Sequence, residues 1–210
     1  MRTSTPTKTD RNRPRGATMT EVVLFHHAAG LTDGLRAFAD TLRGAGHTVH
    51  TPDVYEGATF ASLDDGLAHA REVGFGTLQE RAVAAADALP TDVVYVGFSI
   101  GVMPAQQLAQ ARAGARAAVL VDACAPVEEF GERWPDDVPV QIHGMDGDPF
   151  FAEEGGDLDA ARAFVAAVPA AELHLYPGDQ HLWADRSLPS YDAAAAELLT
   201  TRVLDLLAAV

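Results

Sequence analysis

Apolar residues occur along the chain in short uninterrupted runs, separated by longer stretches with helical spacing. Six runs are rich in Val, Ile, Leu or Tyr and show little polar alternation, which is typical of strands buried on both faces of a parallel sheet. The predicted strands are residues 21–26, 48–51, 93–96, 117–122, 140–143 and 172–176.

Between these runs, apolar residues recur every three or four positions, as on one face of a helix. Leu35, Phe38 and Leu42 form one such stripe, and residues 158–168 form another, with Asp157 as its predicted N-cap. Alternating strands and helices predict an α/β fold: a mostly parallel sheet of about six or more strands with helices on both faces. In such sheets, chemistry collects on the loops at the carboxyl ends of the strands.

The composition limits the class of protein. We predict a single domain over residues 20–210, preceded by a disordered tail, because residues 1–19 hold five of the fifteen basic residues and one acid. The net charge of −15 argues against partners that are nucleic acids or anionic membranes. The single cysteine excludes an internal disulfide, and no signal-like or membrane-spanning apolar run is visible, so a cytoplasmic location is predicted.

The segment GFSIG carries the strongest chemical signal. It follows directly on the predicted strand 93–96 and precedes a helical stretch, the setting of the Gly-x-Ser-x-Gly nucleophile elbow of α/β hydrolases. The turn is so tight that only small residues fit beside the serine, here Gly97 and Gly101. Ser99 is therefore the predicted nucleophile.

A serine hydroxyl needs a base, and the base needs an acid that holds its ring. His181 lies in the loop after the last predicted strand, at the same sheet edge as Ser99, and is the predicted base. Asp146 and Asp148 both follow the fifth strand; Asp148 is preferred because Pro149 fixes the turn behind it, and Asp146 remains the alternative.

The amides of Ile100, directly after the nucleophile, and of Ala28, in the loop after the first strand, are the predicted oxyanion hole. The neighbouring His26 and His27 do not predict a metal site. They show no metal-ligand spacing, and adjacent residues of an extended segment point in opposite directions.

Together these segments resemble the dienelactone hydrolase family, from residue 21 almost to the end. The resemblance rests on FHHAAGL, GHTVHTPDVYEG, GFSIG, HGMDGDPF and YPGDQHLWAD. It implies an α/β-hydrolase fold without a large cap domain, and it carries the family's catalytic triad onto Ser99, Asp148 and His181.

The chain departs from that family at three positions. Ser99 stands where the family has a cysteine, His27 where it has a glutamate that helps to prime the thiol, and Asp185 where it has an arginine that binds a substrate carboxylate, although Arg186 is adjacent. These departures make small neutral esters or lactones better candidate substrates than an anionic dienelactone.

Two segments, residues 54–76 and 126–138, are the candidates to overhang the site. The predicted substrate-binding residues are His27, Tyr55, Phe130, Trp134, Phe150 and Trp183.

The resulting prediction is a serine hydrolase that cleaves small esters or lactones through an acyl-enzyme, acts as a monomer or homodimer, and needs no cofactor and no metal. Three alternatives remain: an acyltransferase on the same triad, a non-catalytic binding protein on the same scaffold, and a peptidase, against which the small site and the absence of a propeller or cap domain argue.

Overall fold

A computed structural model describes residues 19–153 and 156–210 of the chain. The disordered tail predicted for residues 1–19 lies, apart from Met19, outside the described residues. Strands and helices alternate as the apolar pattern predicts, except that two helices lie between the second and third strands and, among the residues that the structure describes, no α-helix lies between the fourth and fifth. The strands are β1 (Glu21–Phe25), β2 (Thr48–His50), β3 (Val93–Phe98), β4 (Ala117–Val121), β5 (Val140–Met145) and β6 (Ala171–Tyr176). The helices are α1 (Asp33–Gly44), α2 (Leu63–Val73), α3 (Phe75–Asp87), α4 (Val102–Ala111), α5 (Asp157–Ala167) and α6 (Ala193–Ala209).

The strands form one sheet in the order β2-β1-β3-β4-β5-β6, and all pairs are parallel. The chain winds outward from β1 to β2 and then returns to place β3 on the other side of β1. This reversal separates the loops after β1 and β3, which leave the sheet in different directions and open a crevice at its carboxyl edge. The predicted fold class is confirmed: the structure has an α/β-hydrolase architecture without a large cap.

Two apolar layers cover the sheet. On one face, α1 and α6 contribute residues such as Leu35, Phe38 and Leu199 to a core with Val22 and Val96. The other core contains apolar side chains of α3, α4 and α5 together with those of the central strands. Because β3 and β4 are buried at every position, they need the continuous apolar runs by which the sequence predicts them.

One local prediction is wrong. Asp157 is the first residue of α5, and its N-cap residue is Gly156, which makes no side-chain cap hydrogen bond. The Asp157 carboxylate instead accepts the N–H of Cys124, 3.1 Å away, at the end of β4. The side chain thereby links α5 to the edge of the sheet that carries Ser99.

Candidate active site

The turn after β3 places Ser99 in a strained conformation. Its φ is +49°, in the left-handed region that non-glycine residues rarely adopt. A Cβ at Gly97 would lie 2.4 Å from the carbonyl oxygen of Gly101, and a Cβ at Gly101 would lie 2.5 Å from that of Phe25. The two glycines therefore let α4 begin directly beneath the serine and against the end of β1.

Ser99 is connected to a histidine and an acid from two distant loops. Its Oγ lies 2.9 Å from Nε2 of His181, and Nδ1 of the same ring lies 2.6 Å from Oδ2 of Asp148. The carboxylate can only accept, so Nδ1 carries the proton and Nε2 is free to accept the hydroxyl proton of Ser99. This is the geometry that a serine nucleophile and its base require.

The environment of His181 favours its protonated form. Burial by itself lowers the pKa of the ring, but the hydrogen bond to Asp148 and the charges of Asp122, Asp148 and Asp157 outweigh burial and raise it. A raised pKa suits a group that must take up a proton and hold it while charge develops on the substrate.

The two aspartates after β5 occupy different places. Asp148 is fully buried, and its second oxygen accepts the N–H of Phe150, 2.9 Å away. Asp146 is exposed, and its carboxylate accepts the N–H of Gly178 at 3.2 Å. Only Asp148 reaches the ring of His181, whereas Asp146 fastens the loop after β6.

The loop after β1 holds the backbone around Ala28 in a fixed orientation. The carbonyl of His27 accepts both Nδ1–H of His26, at 2.8 Å, and the N–H of Gly30, at 2.9 Å. A peptide is planar and trans, so fixing this carbonyl also fixes the N–H of Ala28, which points the opposite way. Within the described ranges, the amide of Ala28 donates to no acceptor.

A cavity of about 360 Å³ opens onto Ser99 and His181. Its lining is mainly apolar and includes Val54, Leu67 and Phe75 of the segment 54–76, which overhangs the site. Asp122 and Asp157 add acidic groups, and no lysine or arginine contributes among the described residues. The cavity therefore fits a small, largely apolar and uncharged molecule.

A family model for the dienelactone hydrolase family matches residues 11–210. The chain belongs to the dienelactone hydrolase family. That membership makes it a hydrolase, in agreement with the resemblance of its sequence motifs. No curated protein matches the chain significantly in sequence.

Solved structures of similar fold include members and relatives of this family. A dienelactone hydrolase from Anabaena variabilis is 18% identical, with a TM-score of 0.60 over 91% of this chain and 87% of that chain. Est1E from Butyrivibrio proteoclasticus is 16% identical, with a TM-score of 0.61 over 93% of this chain and 89% of that chain. A dienelactone hydrolase-like promiscuous phosphotriesterase from metagenomic libraries is 21% identical, with a TM-score of 0.64 over 93% and 88%. At these identities the likeness establishes the shared fold.

Three of the predicted substrate-binding residues lie behind the cavity of this family member. His27 is 1% exposed and bonded to Asp185. Tyr55 is buried, with its hydroxyl 3.4 Å from the carbonyl of Gly66 and its ring edge-on to His26. Trp183 is fully buried in the core against Tyr176. These three predictions are wrong, because each side chain is buried and packed against other residues and none of the three lines the Ser99 cavity.

Phe130 and Trp134 face a different depression from the one predicted. They line a wider groove of about 1070 Å³ beside the cavity, formed by the segment 126–138 and α5. Trp134 is nearly buried, packs edge-on against Phe164 and donates its indole N–H to the carbonyl of Val138. Phe150 does line the Ser99 cavity, and its ring lies 5.0 Å from that of His181.

Two groups in this site were not predicted as site residues. His26 lines the cavity, and burial lowers its pKa to about 4, so the ring is neutral with its proton on Nδ1. Asp122 follows β4 and also faces the cavity. The argument that selected Asp148, an acid at the carboxyl end of a strand, applies equally to Asp122 and would have found it.

Among the described residues, one group of side chains converges closely enough to hold a metal ion: Asp122, Asp148 and His181, whose ligand atoms lie within 4.8 Å of one another. Both nitrogens of His181 are already engaged, one by Ser99 and one by Asp148. A metal ion could bind here only by breaking one of these hydrogen bonds, so the donor set fits a proton relay better than a metal centre.

No helix of the described part of the chain has the length and apolarity needed to cross a membrane.

Proposed function

We propose that the protein is a serine esterase or lactonase that cleaves small neutral carboxylic esters through an acyl-enzyme. The proposal depends on one observation, the continuous hydrogen-bonded chain from Ser99 through His181 to Asp148. A nucleophile, a base and an acid linked in this order are what covalent acyl transfer to a hydroxyl requires.

In the first half of the reaction, Ser99 Oγ attacks the ester carbonyl while Nε2 of His181 takes its proton. The negative charge on the tetrahedral oxygen is stabilised by the amides of Ile100 and Ala28. The imidazolium then gives its proton to the leaving alcohol, and the acyl group stays on Ser99. Asp148 keeps the proton of Nδ1 in place and stabilises the imidazolium throughout.

In the second half, water enters in place of the alcohol. His181 takes a proton from it, the hydroxide attacks the acyl carbonyl, and the carboxylic acid leaves as Ser99 regains its proton. For a lactone, the alcohol and the acid remain in one molecule. These steps use protein groups and water alone.

The lining of the cavity supports a small neutral substrate. The position at which the family has a carboxylate-binding arginine holds Asp185, which is buried and bonded to His27 rather than directed at the cavity. The acidic groups that do face the cavity, Asp122 and Asp157, would repel an anion.

The test is a panel of p-nitrophenyl esters and lactones of increasing acyl length, assayed with the wild type and with Ser99→Ala. We expect turnover that favours short acyl chains and is lost in Ser99→Ala, together with labelling of Ser99 by a fluorophosphonate. Turnover that survives in Ser99→Ala would overturn the mechanism. An added alcohol that captures the acyl group faster than water would identify an acyltransferase, and absence of both turnover and labelling would indicate a binding protein.

A further inference from the structure

Two non-glycine residues in the left-handed region lie next to each other at the active site. Asp122, directly after β4, has a φ of +63°, and Leu182, directly after His181, has a φ of +60°. Such conformations are strained and persist only where surrounding contacts enforce them. One hydrogen bond joins the pair: the N–H of Leu182 donates to Oδ2 of Asp122 over 3.1 Å.

The Asp122 side chain is well placed to enforce the turn at Leu182. It is 1% exposed, and its own backbone N–H is fixed by the carbonyl of His143, 2.8 Å away in the neighbouring strand. The carboxyl therefore extends from the rigid sheet to a loop. The peptide that it holds connects His181 to Leu182, so its orientation determines where the imidazole points.

The same carboxyl is a charge beside the proposed base. Ligand atoms of Asp122, Asp148 and His181 lie within 4.8 Å of one another. Its second oxygen, Oδ1, is buried and has no hydrogen-bond partner of good geometry in the described part of the chain. Burial raises the pKa of Asp122 to about 7, although the charge of His181 and the N–H groups of Trp183 and Leu182 lower it.

The other titratable groups facing this centre are few. Asp148 raises the pKa of Asp122, and Asp157 acts on His181 from the first turn of α5. Tyr176 of β6 responds to the charge of Asp122, and the guanidinium of Arg202 lies 5.2 Å from the centre of the Tyr176 ring. Of these, Asp122, Asp148 and His181 lie closest together, so the protonation states of Asp122 and His181 are coupled.

We infer that Asp122 is a positioning residue with two effects on His181: its carboxyl holds the loop so that the ring meets Ser99, and its negative charge, close to the ring, stabilises the imidazolium. This inference rests on the proposed serine mechanism. Asp122 thereby has a role distinct from that of Asp148, which contacts the ring of His181 directly.

Two substitutions separate the two effects. Asp122→Asn keeps an oxygen that can accept the N–H of Leu182 and removes the ionisable group, whereas Asp122→Ala removes both. We expect Asp122→Ala to lower kcat by about 10²-fold with little change in KM, since a small misplacement of a catalytic group has effects of this size. Asp122→Asn should recover most of that loss at its own pH optimum.

The pH profile is the readout that a merely structural role would not change. An ionised Asp122 favours the imidazolium, so its removal lowers the pKa of His181, and the acidic limb of kcat/KM in Asp122→Asn should move to lower pH by about one unit. Asp146→Asn, which removes an exposed carboxylate from the adjacent loop, is the matched control and should leave the limb in place.

An acidic limb that does not move in Asp122→Asn would overturn the electrostatic effect. Equal losses of kcat in the two variants, or none in Asp122→Ala, would overturn the positioning effect. If Asp122→Ala does not fold, the limb in Asp122→Asn decides the inference. Fluorophosphonate labelling of Ser99 in every variant keeps this test separate from the proposed function, which fails only if turnover does not depend on Ser99.

Discussion

Two buried histidine–aspartate pairs lie at the carboxyl edge of the sheet, and they differ in what the second ring nitrogen meets. In the pair His181–Asp148 the atoms are 2.6 Å apart, and in His27–Asp185 they are 2.8 Å apart. The free nitrogen of His181 faces the Ser99 hydroxyl, whereas Nδ1 of His27 is buried without a partner in the described residues. The same pair of residue types thus lies beside a serine hydroxyl in one place, where we propose that it relays a proton, and forms a buried link between loops in the other.

The second pair joins the loops that carry the candidate catalytic groups. Asp185 accepts hydrogen bonds from His27 and Thr32 through Oδ2 and from Ser187 through Oδ1. A Cβ at Gly34 would lie 1.6 Å from the same carboxylate, so α1 approaches closely because that residue is a glycine. The pair therefore fixes the loop after His181 against the loop that holds Ala28.

Removing the acid of the first pair should have the largest effect on catalysis. Asp148→Asn leaves the shape intact but stabilises the wrong tautomer of His181, so we expect kcat to fall by about 10³–10⁴-fold. Steady-state kinetics on a p-nitrophenyl ester measure the loss. Asp146→Asn is the control and should stay within about threefold of the wild type; the reverse order would exchange the roles of the two aspartates.

Removing the acid of the second pair should affect stability rather than chemistry. Asp185→Ala leaves His27 buried without its partner, and breaking a buried pair from one side costs about 3–5 kcal/mol in the free energy of unfolding. Urea denaturation gives the loss, with Asp179→Ala, an exposed acid in the same region, as the control. A larger fall in kcat than in Asp148→Asn would contradict the division between the two pairs.

Acid should weaken the second pair in a defined range. Burial by itself raises the pKa of Asp185, but hydrogen bonds from His27, Ser187 and Thr32 lower it from 3.8 to about 2. The stabilisation is therefore complete above about pH 4 and is lost as the pH falls towards 2, a change of roughly 2 kcal/mol. Urea denaturation at pH 5, 4 and 3 measures the free energy of unfolding of the wild type and of Asp185→Asn. The difference between the two should shrink as the pH falls; a difference that stays constant would refute a lowered pKa of Asp185.

The smallest expected effect concerns the aromatic cover of His181. Phe150 is 47% exposed, and it lines both the Ser99 cavity and the groove beside it. Phe150→Ala should join the two spaces and raise kcat/KM for octanoyl relative to acetyl esters by about tenfold. Phe130→Ala, which opens only the groove, is the control, and an unchanged preference in Phe150→Ala would exclude Phe150 from substrate selection.

The sequence by itself determined which segments form the strands of the sheet and where the turn that carries Ser99 lies. All six predicted strands exist. The prediction is best founded for β3 and β4, which are buried at every position and therefore need continuous apolar runs. The strand, tight turn and helix around Ser99 could also be predicted from the sequence. The glycines of that turn are required by close backbone contacts within a few residues or with the adjacent strand.

The tertiary structure alone decided which long-range partners meet. His27 faces Asp185 and not the cavity because two loops 158 positions apart pack together. Trp183 fills the core and not the site because its ring packs against Tyr176 of β6. Local propensity and periodicity do not encode such contacts, because they are set by the side chains that the fold brings together. The contact between Asp122 and Leu182 also depends on the tertiary structure. The two residues are 60 positions apart, and the hydrogen bond that joins them forms only in the folded protein.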